Sequence, residues 1–355
     1  YDYRKDVRVV NLSLLNTDWY TEQMKNRYAV PISLTEDQIV WDEKYTHTVW
    51  DESRTRSRTV SGYRPKRMFK DRPRGRMTYL QASGFDGRVV RVQDMMMDEI
   101  ILENRWRNPV YFTSPPYAES PLKLRDRATA VGVVYRFDRE PPEGLIDAER
   151  GYELFMNDYA FDGYEDCEVY RDDNATGVYI GVGINAVRIF DGLNRTGENE
   201  RAKMLAEKII RVYPEYWQMY LLLAGLYESE GDSAGALGLY RQLHDTLAAF
   251  LETNPENLYY RQDLGLAKVE LGSRVNDPAV VQEGIELVWE AFEQNPNSNY
   301  SFRKLFSILS QQRRYTDIQR AAEMFAEYKI NLNDPVLQSI LSPRAAPAGV
   351  PPGGN

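Results

Sequence analysis

Apolar residues recur at helical spacing through the second half of the chain. Trp217, Leu221, Ala224 and Tyr227 share one face, and Gly231-Asp232 then interrupts the pattern. Ala236, Tyr240, Leu243, Leu247 and Leu251 form the next stripe, so the segment reads helix, turn, helix. Ahead of it, Ala202, Leu205, Ala206, Ile209 and Tyr213 follow the turn Asn194-Arg195-Thr196-Gly197. Further on, Ala322, Phe325 and Tyr328 follow a turn near Arg314. Prolines punctuate the series at Pro214, Pro255, Pro296 and Pro335, with spacings 255 − 214 = 41, 296 − 255 = 41 and 335 − 296 = 39 residues. Proline suits the first position of a helix, where no N–H donor is needed, so each is expected to open one.

The pattern resembles the tetratricopeptide repeat. Ala224 or Gly225 matches the small residue of its first helix. Ala236, Gly284 and Ala322 match that of its second, and a closing proline follows each time. The usual period is about 34 residues, so these copies are longer by about two helical turns. Part of the excess is expected in the loop Ser273–Pro278. One hairpin cannot cover its own apolar face, so neighbours must stack. Residues 173–341 are therefore expected to form an all-α solenoid of tetratricopeptide-like helical hairpins. Its groove would hold a protein partner or acceptor, or the array would serve as a scaffold; both readings stand. The 25 tyrosines suggest sugar stacking as one reading, but most occupy repeat positions where packing explains them. Residues 342–355, rich in Pro, Gly and Ala, are expected to form a disordered tail.

The first half changes character. Val7–Leu15 reads as a buried strand, Asn16-Thr17-Asp18 offers helix caps, and Trp19–Arg27 reads as a short helix. A second unit pairs a strand at Arg88–Val92 with a helix from Asp94 to Asn104, whose Met95, Met96 and Met97 suit a core. Pro109–Thr113 and Val131–Phe137 complete the strands. A small α/β N-terminal domain over 1–172 is expected. The carboxyl end of its first strand would be the edge where ligands settle in open α/β sheets.

Charge adds one feature. The chain carries a formal −9, which disfavours nucleic acid as a partner. Yet residues 44–76 hold eleven Lys/Arg against Asp51, Glu52 and Asp71, a net +8 that leaves −17 on the remainder. Pro65, Pro73, Gly62 and Gly75 argue for a basic loop or hairpin there. Arg64, Lys66, Arg67, Lys70, Arg72, Arg74 and Arg76 are candidates for contact with anionic lipid headgroups; the alternative is a solvated loop. No stretch is apolar for the ~18 residues a membrane span requires. The opening Tyr-Asp-Tyr-Arg-Lys-Asp has neither an initiator Met nor the apolar run of a signal peptide, and reads as a cut or processed end.

Catalytic chemistry is sparse. A lone Cys167 cannot form an intramolecular disulfide, and His47 and His244 are the two histidines. No phosphate loop, dinucleotide fingerprint, nucleophile elbow or CxxC occurs. Asp158, Asp162, Gly163 and Asp166 are spaced like the start of a calcium loop, but its twelfth position is Val169 instead of Glu. No catalytic residue, metal site or cofactor is expected in these residues.

The segment Asp6-Val7-Arg8-Val9-Val10-Asn11-Leu12-Ser13-Leu14-Leu15-Asn16-Thr17-Asp18-Trp19-Tyr20 carries a resemblance of its own. It is similar to a signature of multi-spanning membrane proteins of the protein O-mannosyltransferase-like, type-C glycosyltransferase family. Further matches are Pro31-Ile32-Ser33-Leu34-Thr35, Asn108-Pro109-Val110-Tyr111-Phe112 and Gly132-Val133-Val134-Tyr135-Arg136. The resemblance spans about residues 1–190, and the family commonly ends in tetratricopeptide-like repeats. It implies a hexosyltransferase using a lipid-phosphate sugar donor, of which this chain is the soluble extracytoplasmic (periplasmic-face) C-terminal part. The catalytic carboxylate of such enzymes lies in an early loop among transmembrane helices, for which this chain has no counterpart, so no catalytic residue carries over. Asn11, Ser13, Asn16, Asp18 and Trp19 match the motif; they border the active site or acceptor, or they are caps and core. The resemblance implies the parent's own membrane domain as a partner. The rival reading is a free-standing tetratricopeptide-repeat interaction module without catalysis.

Overall fold

The computed structural model describes residues 6–36, 39, 43–50, 57–64, 92–116, 124–140, 144–164, 173–295, 306, 309–310 and 312–327. Expectations on 88–91, Cys167, Pro296, Tyr328, Pro335 and the tail 342–355 lie outside them. The chain is mostly helical and divides into two compact units. One comprises Tyr1–Tyr159 with Arg188–Thr196, the other Ala160–Val187 with Gly197–Asn355.

In the first unit, the expected strand Val7–Leu15 does not form. Residues 7–11 adopt no regular element, and Leu14–Asn16 is a single 3-10 turn. At its far end the Asn11 carboxamide oxygen accepts the Leu14 N–H at 3.2 Å and turns the backbone. The helix does form, as α1 (Asp18–Asn26). Two antiparallel strands follow, β1 (Glu43–Trp50) and β2 (Ser57–Arg64), so the first part of the basic stretch is a hairpin. The expected strand at 88–92 is corrected at its one described position: Val92 opens helix α2 (Val92–Asn104). Its Met95 and Met96 join Leu15, Tyr20, Met24, Val30, Ile32, Leu34 and Ile39 in one core cluster.

Beyond α2 come β3 (Tyr111–Phe112), β4 (Ala128–Val131) and β5 (Val134–Phe137), an antiparallel sheet of order β3-β5-β4. The single strand expected at Val131–Phe137 is thus split. Gly132 sits at φ +58° in the two-residue turn joining β4 to β5, the conformation in which glycine is cheapest. The described strands pair antiparallel apart from an isolated bridge between Ala130 and Ile146. The open α/β sheet with a ligand-bearing strand edge is therefore corrected to small antiparallel sheets among helices. Helix α3 (Ala148–Glu153), capped by Asp147, leads into a π-helical turn at Leu154–Asp158.

The α2 end contains two successive left-handed residues without glycine, Arg105 (φ 47°) and Trp106 (φ 61°). The Trp106 ring stacks on Phe137 with centroids 5.1 Å apart, which offsets part of the strain. Arg105 stacks on no ring; it makes an exposed ion pair with Glu103 at 3.6 Å, a weak contact, its side chain being 74% exposed. Arg105→Gly is therefore expected to raise stability by about 0.5–1 kcal/mol, left-handed strain of ~1–2 kcal/mol being relieved against glycine's entropy. Urea unfolding of the two proteins checks it.

Helix α4 (Asp173–Arg195) contributes to both units in sequence. After it come α5 (Asn199–Val212), α6 (Trp217–Ser229), α7 (Ser233–Thr253), α8 (Leu258–Val275), α9 (Pro278–Gln294) and α10 (Tyr315–Glu327). Successive helices from α5 to α9 pack on one another. The turns repeat. Left-handed residues Gly197, Gly231, Asn276 and Arg313 precede α5, α7, α9 and α10, with φ of 80°, 85°, 55° and 57°. The helices α5, α7 and α9 end on Tyr213, Asn254 and Asn295, which share φ of −140°, −133° and −141° and ψ of 68°, 65° and 79°.

Those three residues each precede a proline in the sequence, and a residue before proline is pushed out of the helical region. The expected role of Pro214 and Pro255 is thus corrected: they stop the preceding helix, and the next begins at Trp217 and Leu258. Pro278 alone among the described prolines stands at a helix start, behind the Asp277 cap. The loop expected over Ser273–Pro278 is also mostly helix, since α8 runs to Val275. The length beyond a 34-residue period lies in long helices, 21 residues in α7 and 18 in α8.

Cations tie neighbouring hairpins together. Lys203 of α5 pairs with Glu230 at 2.7 Å and lies over the Tyr227 ring. Arg274 of α8 reaches Glu228 of α6 at 2.8 Å and stacks 3.9 Å over Tyr240 of α7. Arg320 of α10 joins Glu286 and the Trp289 ring of α9.

Candidate functional site

The five residues singled out by the family motif lie on one turn and the first residues of α1. Their polar groups are largely spent on that turn. The Asn11 N–H donates to the Tyr20 hydroxyl at 2.9 Å, and the Asn11 carboxamide oxygen holds Leu14. Asn16 reaches furthest. Its carboxamide nitrogen donates to the Ser13 carbonyl and to the Gln93 side chain, and its oxygen accepts the Gln93 N–H at 3.1 Å. Asn16 thereby fastens the turn to the first residues of α2. Asp18 accepts the adjacent Trp19 N–H at 2.8 Å, and Thr17 donates to the Leu14 carbonyl at 2.6 Å. Ser13 is exposed and makes no side-chain capping bond. Trp19 is exposed too, its ring edge-on to Tyr20 at 5.7 Å.

Asn16→Ala is expected to destabilise this unit by about 1–3 kcal/mol, because Gln93 would lose partners on both its backbone and its side chain. Chemical denaturation of the chain measures it. An Asn16 that instead served a ligand and not the turn would leave the unfolding midpoint in place.

Sequence reasoning missed the partners that make this arrangement. Gln93 lies 77 residues away, and no local signal marks it. Glu99, buried within α2, accepts both the Ser33 N–H (3.1 Å) and the Ser33 hydroxyl (2.6 Å), and so anchors the Pro31–Thr35 motif. Lys25 donates to the Leu34 carbonyl in the same strip. Of the basic candidates, Arg64 ends β2, while Lys66, Arg67, Lys70, Arg72, Arg74 and Arg76 lie outside the described residues.

A second polar cluster closes the three-stranded sheet. Arg136 pairs with Asp138 at 2.8 Å and Asp147 at 3.2 Å, and Thr129 donates to Asp138 at 2.6 Å. The bond to Asp138 raises the Arg136 pKa against the opposing effect of burial. Tyr159 accepts the Val133 N–H at 3.2 Å, and burial raises its phenol pKa. These groups satisfy one another, which suits a structural lock.

In the helical unit, a shallow niche is lined by Trp217, Leu221, Leu243, Leu266, Asp263 and Glu270. Beside it, Tyr164, Tyr179, Tyr213 and Tyr216 form a ladder with centroid steps of 5.1, 3.8 and 5.0 Å. Tyr179, Tyr213 and Tyr216 are buried, as packing requires. His244 is half-buried on α7 beside Asp245. Among the described residues no cluster of His, Cys, Asp and Glu could hold a metal ion. No helix among them is long and apolar enough to cross a membrane.

Residues 1–79 match the family model of TMEM260-associated domain 2. The match covers the turn, α1, the basic hairpin and the cationic stretch beyond it. No curated protein matches the chain.

Proposed function

We propose that this chain is the extracytoplasmic part of a membrane glycosyltransferase of the protein O-mannosyltransferase-like type, and that it binds an acceptor or partner protein. The match of residues 1–79 to a domain associated with TMEM260 carries this reading, because it falls on the segment whose motif resembles that family. A membrane-embedded portion of the parent would hold the lipid-phosphate sugar and the catalytic carboxylate. The helical hairpins would form a tetratricopeptide-like solenoid. Supporting this are left-handed turns before each second helix and helix stops at 254 − 213 = 41 and 295 − 254 = 41 residue intervals. Such stacks present a groove that holds an extended or helical protein segment.

The turn at residues 11–19 would then act chiefly as a rigid support, with Ser13 and Trp19 outermost. The test is sugar transfer in membranes carrying the complete gene product, with a polyprenyl-phosphate hexose as donor. Deleting 199–327 should abolish acceptor capture while the lipid-linked sugar is still bound. Membranes that transfer no sugar, while the chain still captures a specific protein through its helices, would favour the free-standing interaction module instead.

A further inference from the structure

The three-stranded sheet has one closed edge and one open edge. On the β4 side, Ala130 turns its main-chain groups outward and both are used. Its N–H donates to the Leu145 carbonyl and its carbonyl accepts the Asp147 N–H, each at 2.9 Å. The other edge is β3. The Phe137 N–H donates to the Val110 carbonyl at 2.9 Å, so Val110 points its main-chain groups toward β5. Alternation then turns those of Phe112 toward β5 and those of Tyr111 away from it. Neither the N–H nor the carbonyl of Tyr111 has a partner among the described residues, and Tyr111 is 54% exposed. Pro109 agrees with this direction, because its missing N–H also falls on the outer side.

An edge that offers a donor and an acceptor takes an extended backbone, and the register of β3 suits its own copy. Laid antiparallel across a two-fold axis at Tyr111, a second β3 exchanges two main-chain bonds with the first, N–H to carbonyl in each direction. The axis sets Tyr111 against the Tyr111 of the copy on one face. On the other face it sets Val110 against the copy's Phe112, and Phe112 against the copy's Val110. Aromatic–aromatic and aromatic–β-branched pairs are those that antiparallel strands favour. Val110 and Phe112 are only partly buried, packed on the cluster of Met97, Ile101, Leu124 and Phe137. Charge does not oppose the pairing. Residues 108–116 contain no Asp, Glu, Lys, Arg or His, whereas edges built against self-pairing commonly carry charges. Arg136, the cross-strand neighbour of Tyr111, is neutralised by Asp138 and Asp147. Pro109 and Pro115 confine the pairing to a few residues, which makes it a weak contact and not an obligate one.

We infer that β3 is a self-association edge: two copies of this chain pair antiparallel at Tyr111 and join their three-stranded sheets into one. The contact is independent of sugar transfer and of the helical hairpins.

The test is sedimentation equilibrium of the 355-residue chain from about 10 µM to about 1 mM. Wild type should pass reversibly from monomer to dimer, with a dissociation constant on the order of 0.1–1 mM. Tyr111→Pro deletes the outward N–H without touching a bond to β5. It should weaken association by about tenfold or more, with an unchanged circular dichroism melt. Tyr111→Lys and Tyr111→Glu serve if the proline variant melts early. Each alone should stay monomeric, because like charges meet on the axis, and an equal mixture of the two should associate again. A wild type that stays monomeric throughout the range would overturn the inference. So would Tyr111→Lys associating as tightly as wild type, or a Lys and Glu mixture that remains monomeric.

Discussion

Gly284→Val is expected to remove about 3 kcal/mol or more of the helical unit's stability, at or beyond the upper end of what overpacking usually costs. A Cβ at Gly284 would stand 2.5 Å from the Gly265 carbonyl oxygen and 2.9 Å from the Val269 nitrogen. Both are backbone atoms of α8, so no rotamer change can make room. Either α8 and α9 must separate, or one must shift along the other. Separation would strip contacts from Ile285, Val288 and Phe292, all fully buried. Gly225→Ala is the control. A Cβ there meets nothing within 4 Å, and alanine should gain about 0.5–1 kcal/mol in the middle of an exposed helix face. Urea unfolding followed by tryptophan emission compares them. Equal midpoints for the two variants would mean the helices do not cross at Gly265 and Gly284.

Alkaline pH should melt the same unit well before it affects the carboxylate pairs. Burial pushes the Tyr220 phenol up to about 12, and burial raises Tyr213 and Tyr240 further. The sign follows from proton counting. Above the ordinary tyrosine value near pH 10, an unfolded chain releases phenolic protons that the folded chain keeps. The stabilisation is complete below that pH and is lost as pH rises through the folded values. A phenol held up at about 12 against an ordinary value near 10 accounts for roughly 2–3 kcal/mol once both states are ionised. Three such groups should bring the thermal midpoint down steeply between pH 10 and 12. Tyr220→Phe should flatten that fall relative to wild type, at the expense of its hydroxyl contacts at neutral pH. A midpoint unchanged from pH 8 to 11.5 would show that these rings are open to solvent.

The helical half was largely legible because its signals are local. Apolar periodicity, the breaks at Gly197 and Gly231 and the regular prolines all act within a few residues of the structure they dictate. The error in reading the prolines was one of direction: the restriction on the preceding residue outweighed the preference for a helix start. The first half was less legible for the opposite reason. Val7–Leu15 has the composition of a strand, but composition does not show the Asn11 side-chain bond that turns the backbone at Leu14. The small residue Gly284 was found by its match to the expected tetratricopeptide pattern, yet its close approach to the Gly265 backbone is a matter of tertiary register. In the candidate site, the motif residues were visible while their partners Gln93 and Glu99 were not. Nothing in a sequence announces a bond across 77 positions.

The cations bridging the hairpins have a bearing on tolerance of brine. An ordinary surface ion pair fades as dissolved salt shortens the reach of charge. Lys203, Arg274 and Arg320 each also rest against an aromatic face, and that attraction is short-ranged and partly dispersive. Adding sodium chloride to molar concentration should thus weaken the carboxylate half of each junction and spare the ring half. The hairpins would keep their alignment in media that dissolve a purely ionic seam.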